Sequence, residues 1–228
     1  WAAAGGEVDS MLALAKLAPG AAVLDLACGP GRHSLELARR GFKVTAVDRT
    51  TAYLEQARQR AAEQGLTVEW VQADMREFCR PEAFDAAVNL FTAFGYFENA
   101  ADDRKVASNL FRSLRPGGAL VMEMVGKEIL ARIFRERDWH EEPDGTLMLE
   151  ERKLRSGWDW IENRWILLKG AERKEFRLAH RLYSAAELSQ LLKDCGFASV
   201  DVFGGLDGSP YDHTAKRLVA VARKQTES

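Results

Sequence analysis

Three aspartates, Asp25, Asp48 and Asp74, stand inside or just after short apolar runs, and two glycines, Gly29 and Gly31, fall between the first pair. A carboxylate in an apolar run is costly to bury without hydrogen-bond donors, so Asp25 is expected to accept bonds from the glycine turn or from a cationic ligand group. Gly29 and Gly31 remove side chains where a backbone must approach a ligand closely. Asp48 follows Gly31 by 17 residues and ends an apolar run, a position from which an acid can accept both hydroxyls of a ribose. Carboxylates and bare backbone in this order suit the binding of a nucleoside-type cofactor. For proton transfer, His140 beside Trp139, Tyr96 and His180 are candidates by chemistry alone, because no spacing rule selects among them. No Asp/Glu/His grouping with metal-ligand spacing stands out. Cys28, Cys79 and Cys195 are isolated and odd in number, which argues against a disulfide framework or a zinc cluster and fits a reducing cytoplasm.

These residues need elements to position them, and the hydrophobic periodicity supplies candidates. Residues 23–27 read as a strand, followed by the glycine turn and a helix over 34–40 that closes on Arg39-Arg40-Gly41. A helix over 7–18, stopped by Pro19-Gly20, precedes them. Strands are expected at 43–47, 68–72 and 84–90, with a helix over 51–64 between the first two. A further helix over 100–114 carries Val106, Leu110, Phe111 and Leu114 on one stripe. Arg115-Pro116-Gly117-Gly118 then breaks the chain before a fifth strand at 119–125.

Beyond residue 126 the pattern changes. A helix over 127–135 precedes three β-like segments. Ile161, Trp165 and Leu167 share one parity and Trp158 and Trp160 the other, and Ser156-Gly157 offers a hairpin turn. Phe176, Leu178, His180 and Leu182 alternate with Arg177, Ala179, Arg181 and Tyr183. Ser184 and Glu187 form a capping-box signature opening a last helix that ends at Cys195-Gly196, and strands are expected at 197–203 and 217–221.

The stretch D-x-A-C-G-P-G after an apolar strand resembles the first motif of class I S-adenosylmethionine-dependent methyltransferases of the small-molecule type. The dinucleotide fingerprint G-x-G-x-x-G would place a third glycine where Ser34 stands, which argues against an NAD-dependent oxidoreductase. The resemblance implies an α/β fold: a Rossmann-like, seven-stranded, mostly parallel sheet with its last strand antiparallel beside strand five, plus an antiparallel insertion after strand five. It implies S-adenosylmethionine as cofactor, with S-adenosylhomocysteine as its product, and assigns Asp25, Ala27, Gly29 and Gly31 to the loop beneath it. Asp48 would hold the ribose and Arg49 border the adenine. Asp74 would meet the adenine amino group while Met75 covers the ring. Asn89 and Leu90 open an aromatic loop that resembles the family's fourth motif and should border the transferable methyl; the D/N-P-P-Y/F element of nucleic-acid amino methyltransferases is not present there. Residues 7–125 and 184–224 would form the cofactor-binding core, and residues 126–183 a flap that serves as substrate lid or dimer surface. Phe94, Tyr96, Trp139, Arg177 and Tyr183 would offer acceptor walls. A non-catalytic binding module on the same fold stays open as an alternative.

Composition bounds these readings. The 228 residues are 46% hydrophobic and 29% charged, with a formal net charge of −2, enough for one core plus an elaboration. No basic run interleaved with aromatics suggests nucleic acid, and no apolar run approaches a membrane span, so the expected partner is a small-molecule acceptor, with a homodimer left open. The sequence opens at Trp1 without a methionine, which leaves its natural start open.

Overall fold

A computed structural model describes residues 1–226. In chain order the elements are α1 (Ala4–Ala15), β1 (Ala22–Leu26), α2 (Arg32–Arg39), β2 (Lys43–Asp48), α3 (Thr51–Glu63), β3 (Glu69–Gln72), β4 (Phe84–Asn89), α4 (Ala100–Ser113) and β5 (Leu114–Met124). They continue with α5 (Lys127–Ile133), β6 (Arg137–Glu141), β7 (Leu147–Leu154), β8 (Trp160–Lys169), β9 (Glu172–Arg181), α6 (Ala185–Asp194), β10 (Ser199–Phe203) and β11 (Leu218–Arg223).

Seven strands form one sheet in the order β10-β11-β5-β4-β1-β2-β3. β2, β1, β4 and β5 pair in parallel, whereas β11 runs antiparallel to both β5 and β10. Strand alternation sends side chains to two apolar layers. Leu24, Leu120, Met122 and Ala220 meet α4 and α6 through Val106, Leu110, Leu188 and Leu192. Val23, Val121, Val219 and Ala46 meet α1, α2 and α3 through Val8, Met11, Leu37 and Leu54 on the other face. Strand order reverses between β1 and β4, and a crevice outside the carboxyl ends of strands at such a point is where open α/β sheets bind ligands.

The insertion is a second, four-stranded antiparallel sheet ordered β6-β7-β8-β9. It holds four strands and not three, because residues 137–141, exposed except for Asp138, pair with β7 despite carrying no apolar alternation of their own. Trp158 lies outside β8, in a turn with φ 56°, so it shares no strand parity with Trp160. The flap is fixed to the core at the end of β9. Arg181 donates its backbone N–H to the Gly95 carbonyl at 2.7 Å and its side chain to the Glu98 carbonyl and to Asp103 of α4, at 2.8 and 3.1 Å. Asp103 is fully buried and also accepts from the Tyr183 hydroxyl at 2.7 Å. Gly95 has φ 95°, and a Cβ there would lie 2.8 Å from the Arg181 carbonyl oxygen, so only glycine allows this approach. Ser184 and Glu187 form the expected capping box on α6.

Candidate active site

The β1–α2 turn carries its own framework. Asp25 is buried and accepts the Ser34 hydroxyl at 2.5 Å; burial pushes its carboxyl above the usual range. Ser34, at the position of a third fingerprint glycine, is thus committed to Asp25. Asp48, at the end of β2, accepts from the Gly29 N–H and the Thr50 N–H, both at 2.8 Å, and so ties the glycine turn to the neighbouring strand. Ala27 and Gly29 both have positive φ, 62° and 54°, and a Cβ on Gly29 would meet nothing within 4 Å. Gly31 differs. A Cβ there would lie 2.6 Å from the Trp70 ring and 2.9 Å from the Ala57 Cβ. Its bareness serves helix and strand packing.

Above this turn lies a cavity of about 610 Å³, within the range of small-molecule sites. Asp25, Ala27, Gly29, Asp48, Arg49, Asp74, Met75 and Leu90 line it. Asp74 caps its own turn by accepting the Arg76 N–H at 2.8 Å and pairs with the Arg76 guanidinium at 2.7 Å, which holds its carboxyl below the usual range. Gly31 and Asn89 do not line the cavity. Asn89 is fully buried and donates to the Leu26 carbonyl at 3.0 Å, bracing the ends of β4 and β1, while its Oδ1 has no partner.

A second cavity, of about 850 Å³, lies between α5 and the inner face of the flap, and Phe91 and Tyr96 line both. The wall between them is strained. Phe91 and Thr92 have φ 59° and 55°, a conformation that costs side-chain-bearing residues of order 1–3 kcal/mol and persists only where surroundings impose it. Buried Glu123 of β5 accepts the Phe91 N–H at 2.7 Å and a bond from Arg217, and Arg217 also reaches the Thr92 hydroxyl at 3.2 Å. The Arg32 guanidinium lies 3.6 Å from the Phe91 ring centroid, and the His33 ring stacks on it at 5.5 Å. Glu123 and Arg217 were missed in the sequence reading. Glu123 interrupts the apolar run 119–125 just as Asp25 interrupts 23–27, and the cost of burying that carboxylate was the available signal.

Residues 23–118 match the model of the methyltransferase domain family. YqeM of Bacillus subtilis (strain 168), itself named only provisionally as a methyltransferase, is 26% identical over 215 residues, covering 89% of this chain and 83% of its own. Among solved structures, the CcbJ methyltransferase of Streptomyces caelestis superposes with a TM-score of 0.87 at 21% identity, over 97% of this chain and 90% of its own. S-adenosylmethionine-bound CalS10 of Micromonospora echinaspora gives 0.70 at 25% identity, with the same coverage. Residues 23–118 carry a methyltransferase domain, and the chain as a whole has the fold of S-adenosylmethionine-dependent methyltransferases. Its cofactor is S-adenosylmethionine, and the first cavity suits that molecule: open space over Gly29 and carboxylates at Asp48 and Asp74 face a ligand with hydroxyls, an amino group and positive charge.

Two of the three base candidates meet in this methyltransferase. The Tyr96 and His180 rings lie 5.5 Å apart, and both line the second cavity. His180 Nδ1 is 3.0 Å from the Arg181 carbonyl oxygen, which can only accept, so Nδ1 carries the proton and Nε2 keeps its lone pair. Burial lowers the His180 pKa below 6.5 and raises that of Tyr96, so both groups are neutral near pH 7. His140 is exposed, 3.2 Å from Glu142, and lines neither cavity.

Of the five expected acceptor walls, only Tyr96 lines a cavity. Phe94 is 1% exposed and packs on Tyr183, with ring centroids 5.5 Å apart, inside the core. Tyr183 is committed to Asp103. Trp139 and Arg177 sit on the outer face of the flap, Trp139 68% exposed and Arg177 paired with Glu175 at 2.9 Å. Among the described residues no group of three or more His, Cys, Asp or Glu is placed to hold a metal, and no helix is long and apolar enough to cross a membrane.

Proposed function

We propose that this enzyme transfers the methyl group to an oxygen, nitrogen or carbon atom of a small-molecule acceptor held in the second cavity. The observation that carries this reading is the contiguity of the two cavities across Phe91 and Tyr96. Asp48 is assigned to the ribose, and Ala27 and Gly29 to the chain beneath it, with Asp25 fixing the loop through Ser34. Arg49, Asp74 and Met75 border the adenine, and Leu90 lies towards the methyl. The cofactor supplies a sulfonium methyl that is already activated, so the protein's task is alignment and exclusion of water. The Tyr96 hydroxyl orients the acceptor atom by hydrogen bonding. His180 Nε2 receives the proton that this atom gives up on methylation. The flap covers the site, and its proper limits are the strands at 137–181, since Tyr183 belongs to the core.

The structurally similar CalS10 is described as an amino pentose methyltransferase, which supports a small acceptor. The three unpaired cysteines support a reducing, cytoplasmic setting. Labelled cofactor incubated with a metabolite extract, and separately with bulk RNA, DNA and protein, tests the reading. Label should enter a low-molecular-weight product; faster transfer to any of the polymers would contradict it.

A further inference from the structure

On the inner face of the flap, antiparallel pairing places His180 opposite Ile161, Leu178 and Arg152 opposite Asn163, and Phe176 and Glu150 opposite Trp165. Most of these side chains are satisfied within the protein. Two are not. The Trp165 indole nitrogen is buried without a hydrogen-bond partner, and Asn163, 9% exposed, makes no side-chain hydrogen bond among the described residues. Both line the second cavity. An indole N–H only donates, so whatever satisfies Trp165 must bring an acceptor atom. A buried donor left without one is costly, which marks this as a place prepared for a ligand.

The charge around these groups selects the kind of acceptor atom. Arg132, Arg135 and Arg152 line the cavity, against Asp138 as the one acidic lining residue among those described. Arg152 pairs with Glu150 at 2.5 Å and Arg135 faces Asp138 at 3.4 Å. Arg132 is held by the carbonyls of His213 and Ala215, which fix its guanidinium without neutralising it. The wall therefore presents the unpaired Trp165 N–H and, among the described residues, one guanidinium without a carboxylate partner, that of Arg132, while Ile161, Leu178 and Leu182 offer apolar surface.

We propose that the acceptor of this methyltransferase carries an oxyanion, a carboxylate or a phosphate, seated against Trp165, Asn163 and Arg152 at the end of the cavity away from the methyl. The assignment rests on the methyltransferase reading above for the role of the cavity. Strand geometry sets the span: at about 3.3 Å per residue, the Asn163 row lies about 7 Å, and the Trp165 row about 13 Å, from the His180 row. The atom to be methylated and the oxyanion are separated by a distance in that range. The apolar walls between them accommodate a hydrocarbon or aromatic body.

Nuclear magnetic resonance of the ¹⁵N-labelled full chain tests this, with the Trp165 indole signal assigned by its loss in Trp165→Phe. The probes are ω-phenylalkanoates from phenylacetate to 6-phenylhexanoate, their primary amides, phenyl phosphate and inorganic phosphate. At least one anion should shift the Trp165 indole saturably, with its uncharged amide at least tenfold weaker. Tighter binding by the phosphates would assign a phosphate, and tighter binding by the alkanoates a carboxylate. Asn163→Leu should weaken that anion at least tenfold, and Arg152→Gln is the second variant should Asn163→Leu fail to fold. Amides binding as tightly as the anions, or an indole signal that no anion moves, would overturn the proposal. Calorimetry with S-adenosylhomocysteine runs beside it: failure there strikes the cofactor-site reading, whereas the indole response is read without cofactor.

Discussion

In the cofactor cavity, Gly29 is held by Asp48 and Asp25 by Ser34, partners that stand within 19 residues of each other on one β-α-β run. In the acceptor cavity, His180, Asn163 and Arg152 come from three strands of the flap and face Tyr96, which follows β4 of the core. The first site is made largely of backbone and short-range bonds and depends on which residues can adopt positive φ or accept an N–H. The second is made of side chains brought together by cross-strand register, so a change at one position alters its chemistry without disturbing the loop. On the proposed reading the difference makes cofactor affinity and acceptor choice separable properties of this chain.

The strongest way to break that comparison is to remove one partner. Replacing residues 137–181 by a short Gly-Ser linker, with Leu182 and Tyr183 retained, should take acceptor turnover below detection. Affinity for S-adenosylhomocysteine should stay within about tenfold, roughly 1.4 kcal/mol, provided circular dichroism shows a folded core. Collapse of cofactor binding would show the two sites to be one unit.

A narrower change comes next. His180→Gln should lower turnover by about 10²–10⁴-fold, the usual contribution of a general base. The pH profile carries the sign. Burial lowers the His180 pKa, so kcat/KM should hold level above pH 6.5 and fall only as pH drops through a value below it, where the imidazole gains its proton. The variant should lack this acid limb; an unchanged limb would place the base elsewhere.

On the cofactor side, Asp48→Ala removes the acceptor of the Gly29 and Thr50 N–H groups together with the proposed ribose contact. It should cost roughly 1.5–3 kcal/mol in S-adenosylhomocysteine affinity by calorimetry, the range for bonds to a charged group. Preference among acceptors should be unchanged.

The smallest effects are expected on β6, the edge strand of the flap. Trp139→Ala and His140→Ala alter exposed residues that line neither cavity, so stability should move by no more than about 0.5 kcal/mol. Turnover should stay within twofold. A dimer that dissociates on Trp139→Ala, seen by sedimentation, would assign the outer face to a second copy.

The order of elements was legible in the sequence from short-range signals: apolar runs, a breaker, a glycine turn, an acid at a strand end; the sheet with its antiparallel strand beside strand five came only through the family resemblance of the glycine turn. The limits of that reading lie where a residue type serves two purposes. Gly31 is bare for Trp70 and Ala57 and Gly29 for open space, yet both read alike as letters. Phe94 and Tyr96 are neighbours of the same type, and only the fold sends one into the core and the other to the cavities. The strained Phe91-Thr92 pair is held by Glu123 of β5 and by Arg217 just before β11, both distant in sequence, so no local pattern announces it. In the flap, the alternation of Leu178, His180 and Leu182 was visible, whereas β6 was not, since its polar residues gain their pairing only from β7.

The central claim is that the methyl group of the bound cofactor meets the acceptor at Tyr96, where the two cavities join. Isotope-filtered nuclear Overhauser spectroscopy of the protein with S-adenosylmethionine ¹³C-labelled at its methyl group reads this contact directly. The account requires cross-peaks from that methyl to the Tyr96 ring protons. Cross-peaks to Tyr53 or Arg49, which line the first cavity but not the second, with none to Tyr96, would contradict it.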